Sequence, residues 1–151
     1  MKKILVTLMV LVMSASVYAF PMVQEGAREM ELDFSFQDSD WQLGIGYGVF
    51  ITDAILVGGK LDYLDWADTW QLGGKIEYHW NMGTMTVPYV AAVVAYVDYD
   101  VDTMFLYGPA AGVKHFITDY LAIDIRAEYM LSSEDWYEEE IVISAGLRVM
   151  F

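Results

Sequence analysis

An alternation of period two runs through nearly the whole chain, and it restricts the fold more than any other feature. In "EMELDFSF" (29–36), Met30, Leu32, Phe34 and Phe36 alternate with Glu29, Glu31, Asp33 and Ser35. Successive strand side chains point to opposite faces, so this is a strand with one apolar and one charged face. "WQLGIGYGVF" (41–50) sets Trp41, Leu43, Ile45, Tyr47 and Val49 against Gln42, Gly44, Gly46 and Gly48. The pattern returns in 55–63, 70–80, 105–117, 121–129 and 139–151. It is softer in 87–99, where Val87, Tyr89, Ala91, Val93, Ala95 and Val97 oppose Pro88, Val90, Ala92, Val94, Tyr96 and Asp98. Eight strands are therefore predicted, each of about the length that crosses a bilayer as a tilted strand. No helical periodicity follows residue 20.

The first residues stand apart. "MKKILVTLMVLVMSASVYA" places Lys2 and Lys3 before a short apolar run and a small-residue exit at Val17 and Ala19. That is the pattern of a cleaved secretory leader over 1–19, leaving a single domain over 20–151. Without Lys2 and Lys3, six basic residues remain against 22 acidic ones, too few to neutralise phosphates, so no nucleic-acid partner is expected. Yet 56% of the chain is hydrophobic, unusual for so acidic a protein, and after the leader no run is long enough for a membrane helix. There is no cysteine, hence no disulfide and no thiolate metal site.

Alternation alone does not say which face is inside. A soluble barrel hides its apolar face, whereas a membrane barrel shows it to lipid. Three features favour the second. Lys60, Lys75, Lys114, Arg126 and Arg148 all fall mid-strand on the polar face, among Glu31, Asp33, Asp62, Glu77, Asp124, Glu128 and Glu140. These are expected to pair inside the barrel, with Gly44, Gly46, Gly73 and Gly112 making room. Aromatic residues of the apolar face gather near strand ends, at Trp41, Trp70, Tyr78, Trp80 and Tyr89, as interfacial girdles require. The last strand closes on Phe151.

That terminal aromatic residue, together with "PYVAAVVAY" (88–96), "GPAAGVKHFITDYLAIDIRAEY" (108–129) and "ISAGLRVMF" (143–151), resembles the opacity-like family of small outer-membrane β-barrels, which share the architecture of OmpA-type transmembrane domains. The resemblance covers essentially all of 20–151. It implies an eight-stranded antiparallel up-and-down transmembrane barrel in the outer membrane of a Gram-negative-type envelope, without an appended peptidoglycan-binding domain. It also implies Phe151 as a signal to the barrel-assembly machinery, outer-membrane lipid and lipopolysaccharide as surroundings, no cofactor, and a structural or surface-interaction role.

The tetrapeptide "FITD" occurs at Phe50–Asp53 and Phe116–Asp119, and "FITDAILVGGKLDY" aligns without a gap on "FITDYLAIDIRAEY". Lys60 and Asp62 then match Arg126 and Glu128. Both copies are predicted as tight periplasmic turns, the first and third, with Phe50 and Phe116 at the rim; Asn81 and Gly83 should supply positive φ in the second, which lies between them. The opposite connections, near 37–40, 65–69, 99–104 and 132–138, are acidic. Asp98, Asp100 and Asp102 form a candidate cation site there. A hydrolase or acyltransferase would need His79 or His115 with a serine or carboxylate partner. The remaining alternatives are a small pore for ions or solutes, and a soluble periplasmic barrel that holds a ligand.

Overall fold

The computed structural model describes residues 23–37, 40–65, 68–98, 103–134 and 139–151. The expected leader, Asp100 and Asp102 of the candidate cation site, and much of the acidic connections lie outside these residues. The strands are β1 (Arg28–Gln37), β2 (Asp40–Phe50), β3 (Ile55–Leu64), β4 (Thr69–His79), β5 (Thr86–Asp98), β6 (Thr103–Phe116), β7 (Leu121–Ser132) and β8 (Glu140–Met150). Each pairs antiparallel with its neighbours in sequence, and β8 returns to β1 to close the barrel. All eight strands read from the alternation are present, in up-and-down order.

The apolar face is outside. Met30, Leu32, Phe34, Leu43, Ile45, Leu72 and Ile76 are exposed, while Glu29, Glu31, Asp33, Lys75, Glu77, Lys114, Asp124, Arg126 and Arg148 are buried. An eight-stranded barrel has an interior just wide enough to be filled by side chains, and here register supplies the space. Glu31 pairs with Gly46 on one side and Arg148 on the other, and Asp33 lies between Gly44 and Gly146. Lys60 lies between Gly46 and Gly73. Glu31, Asp33 and Lys60 thus each have a glycine on at least one side.

Gly112 shows how tight the fit is. A Cβ there would lie 2.6 Å from Cζ and Oη of Tyr89. Gly112→Ala is expected to lose about 1–3 kcal/mol by overpacking, read as a lower unfolding temperature in detergent micelles. Gly74→Ala, where the nearest atom is Val94 Cγ1 at 3.7 Å, should leave that temperature unchanged or slightly raised.

One end of the barrel is closed by short turns. In the first, the backbone N–H groups of Ala54 and Ile55 donate to Thr52 Oγ1 at 3.2 and 3.0 Å. In the third, those of Tyr120 and Leu121 donate to Thr118 Oγ1 at 3.4 and 3.1 Å. Ile51 N–H and Ile117 N–H each donate at 2.8 Å, to the carbonyls of Ile55 and Leu121. The two "FITD" copies therefore encode one turn, used twice. Thr52→Ala and Thr118→Ala should each cost ~1 kcal/mol and shift the urea midpoint by similar amounts. In the second turn only Gly83 takes positive φ, at 68°; Asn81 acts instead through its side chain, which accepts the Gly83 N–H at 3.2 Å.

Phe50 and Phe116 do not sit on a rim. They turn inward with Leu56, Val87, Ala122 and Met150 to make an apolar floor across the turn end. The segment before β1 completes it: Val23 and Ala27 are buried in the same cluster, Gly26 N–H donates to the Phe50 carbonyl at 2.8 Å, and Glu25 N–H to Asp53 Oδ1 at 2.9 Å. At the loop end a second apolar layer, including Leu64, Val97, Met104 and Leu106, narrows the lumen.

Candidate functional site in the barrel lumen

Between the two apolar layers lies a continuous ionic network built from six strands. Lys75 Nζ lies 2.6 Å from Glu77 Oε1 and 3.6 Å from Glu29, and donates to Glu31. Lys114 Nζ lies 2.6 Å from Glu29 Oε2 and 2.8 Å from Glu77 Oε2, and stands 5.0 Å above the Tyr89 ring. Arg148 is the hub. Its guanidinium lies 2.5 Å from Asp33 Oδ1, donates to Asp124, and has Glu29 and Glu31 each at 3.7 Å. Arg126 bridges Asp33 at 3.0 Å and Glu128 at 2.7 Å. Lys60 lies 3.0 Å from Asp62 and 3.5 Å from Asp33. Glu140 faces inward nearer the loop end, beside Gln42, Lys60 and Glu128.

Two members were not singled out from the sequence. Glu29 was visible, since it keeps phase with Glu31 and Asp33 along β1. Tyr89 was not, and its placement corrects the expected girdle. It is 1% exposed in the lumen, and its hydroxyl lies 3.0 Å from each carboxylate oxygen of Asp124. On β5 both faces are apolar, so the alternation carries no sign of which one turns inward. Trp41, Trp70, Tyr78 and Trp80 do belong to the exterior face. Tyr63 stacks between Trp41 and Trp70 at 5.5 and 5.4 Å near the loop end, and Tyr78 meets Trp80 at 5.2 Å near the turn end.

Carboxylate oxygens of Glu29, Glu31 and Glu77 lie within 4.8 Å of one another, as a metal would require. The ammonium groups of Lys75 and Lys114 stand among them and supply the countercharge. His79 is sealed into the floor between the Phe50 and Tyr89 rings, at 5.0 and 5.2 Å, with Nε2 3.2 Å from Glu77. His115 is on the outer side of β6, with Nδ1 2.9 Å from Thr86 Oγ1.

Fold and lumen together define a class: a closed barrel turned inside out relative to a soluble one, ionic within and apolar without. No family model matches the sequence, and neither does any curated protein. Solved structures do. The N-terminal β-barrel domain of OprF from Pseudomonas aeruginosa is similar at a TM-score of 0.72 and 18% identity, over 84% of this chain and 98% of that one. A de novo designed transmembrane β-barrel matches at 0.69 and 11% identity, over 85% and 98%. The outer membrane protein Ail of Yersinia pestis, determined in a phospholipid bilayer nanodisc, matches at 0.58 and 12% identity, over 84% and 100%. At these identities the shared property is the small eight-stranded barrel fold.

Proposed function

We propose that this chain is an outer-membrane barrel with an envelope-integrity or surface-contact role, neither an enzyme nor an open pore. The observation that carries the reading is the height of its apolar belt. On the outer face of β4, Trp70, Leu72, Ile76, Tyr78 and Trp80 are all exposed, with aromatic rings at both ends. Ten residues of a strand tilted by about 40° rise ~25 Å, the apolar height of an outer-membrane barrel. Water would charge that surface a large hydrophobic penalty; hydrocarbon would not. Lipid and lipopolysaccharide are its natural covering, and the leader pattern at 1–19 supports export.

Phe151 supports assembly through the last strand. Its backbone N–H donates to the Arg28 carbonyl at 3.0 Å, its carbonyl accepts the Arg28 N–H at 2.9 Å, and its ring lies 6.4 Å from Tyr47. The closing seam therefore ends on the residue read as the assembly signal. A non-catalytic role is supported by the surroundings of His79, walled off by two aromatic rings. A closed lumen is supported by apolar layers at both ends and ion pairs between. The inward apolar pocket of a soluble ligand-binding barrel has no counterpart among the described residues, since the apolar face is outside.

Folding into vesicles with brominated acyl chains tests the placement. Tryptophan fluorescence should be quenched, more by bromine near the headgroup than at the chain ends. In planar bilayers the same protein should show no steady conductance. Unquenched tryptophan would refute the membrane reading, and steady channels would replace the closed barrel with a pore.

A further inference from the structure

One basic residue of this barrel stands apart from the rest. After Lys2 and Lys3 the chain has six, and Lys60, Lys75, Lys114, Arg126 and Arg148 are ion-paired in the lumen. Arg28 is the sixth. It is the first residue of β1, in phase with Met30, Leu32 and Phe34, so its side chain is exposed on the outer, apolar face. Among the described residues it has neither an ion pair nor a side-chain hydrogen bond.

Its surroundings are aromatic. Arg28 and Phe151 exchange both backbone hydrogen bonds, at 2.9 and 3.0 Å, at the turn end of the seam where β8 closes on β1. On the other side Arg28 pairs with Val49 of β2, and the next outward residue of β2 is Tyr47, opposite Met30. The rings of Tyr47 and Phe151 approach to 6.4 Å across β1. Both are about half exposed, at 45% and 51%, and the Tyr47 hydroxyl has no hydrogen-bond partner among the described residues. Amphipathic rings of a membrane protein gather at headgroup level. An arginine at that level can lay its stem on apolar surface and extend its guanidinium to the headgroups, whereas near the bilayer centre it would be costly.

We propose that Arg28 binds the phosphate of a glycerophospholipid in the leaflet that meets the turn end, with the Tyr47 hydroxyl as a second donor. A guanidinium presents a planar fork of N–H groups that matches two phosphate oxygens, and charge-assisted bonds of this kind are the strong ones. Charge and position choose the occupant. The unpaired cation calls for an anion, and the exposed apolar face beside it calls for one joined to hydrocarbon. The contact ties the closing seam to the membrane surface, at the strand pair whose hydrogen bonds complete the barrel. The inference rests on the membrane reading above, since lipid supplies the phosphate.

Solid-state NMR tests it on the full chain, isotope-labelled at its arginine side-chain nitrogens and reconstituted in vesicles of phosphatidylethanolamine and phosphatidylglycerol. Dipolar coupling to lipid phosphorus should dephase the guanidinium signal of one arginine in three, because Arg126 and Arg148 are sealed in the lumen. Arg28→Gln should remove that dephasing and leave the two lumen signals in place, which also shows that the variant has folded. Tyr47→Phe should weaken the dephasing without abolishing it. Tryptophan quenching by brominated acyl chains in the same vesicles separates this inference from the reading beneath it. Quenched tryptophan with no dephasing in the unaltered chain would overturn the phosphate site and leave the barrel in its membrane. Dephasing that survives in Arg28→Gln would also overturn it, by placing phosphate at a lumen arginine. Unquenched tryptophan would overturn both.

Discussion

Arg148→Leu should lower the stability of the folded barrel by about 3–5 kcal/mol, the usual result of removing one partner from a buried ionic cluster. The guanidinium is fully buried with four carboxylates around it, and Asp33 and Asp124 are its hydrogen-bonded partners. Leucine fills most of the volume but leaves those oxygens with less countercharge in an enclosed space. The loss arises from stranded carboxylates, so removing one of them should restore part of it. Arg148→Leu with Asp124→Asn is expected to unfold at higher urea than Arg148→Leu alone, a non-additivity that a double-mutant cycle in micelles measures directly. Arg126→Leu should cost less, because Asp33 keeps Arg148 and the Glu128 side chain is 13% exposed. Additive losses for Arg148→Leu and Asp124→Asn would mean that the two groups do not act as a pair.

Ile76→Arg should act in opposite directions in water and in lipid. Ile76 is 49% exposed and sits near the middle of the β4 belt, between Trp70 and Trp80. In a bilayer an arginine on the lipid face near the midplane costs about 2–4 kcal/mol. On a soluble barrel the same change would remove an exposed apolar side chain and improve solubility. Unfolding titrations of the barrel reconstituted in vesicles should show the loss. A neutral or favourable effect there would mean that this face does not meet hydrocarbon.

These two substitutions probe the faces that the alternation had separated, and they show how far a sequence of this kind can be read. Strand positions, closure order and the inward phase of β1, β3, β4, β6, β7 and β8 follow from charge on one face, because a mid-strand Lys60 or Arg126 cannot face lipid cheaply. On β2 the glutamine and glycines of one face give the phase instead. On β5 that signal vanishes: Val87, Tyr89 and Ala91 are as apolar as Val90, Ala92 and Val94, and only the lumen's need for a hydroxyl beside Asp124 distinguishes them. The apolar floor was hidden for a related reason. Phe50 and Phe116 end their strands in phase with the polar face, and an apolar residue there reads as a rim until the opposing Leu56, Val87 and Met150 are placed around it. Membership of the ionic face was legible; the partner of each charge was not, because pairs such as Lys114 with Glu29 join strands remote in sequence.

The most direct test of an inside-out barrel in the outer membrane is the gel mobility of the protein in isolated envelope fractions, with and without boiling in SDS. A closed barrel resists SDS when cold, so the protein should appear in the outer-membrane fraction as a band whose mobility changes on heating. Protein released with the soluble periplasm, with one mobility before and after boiling, would contradict both the location and the assignment of its faces.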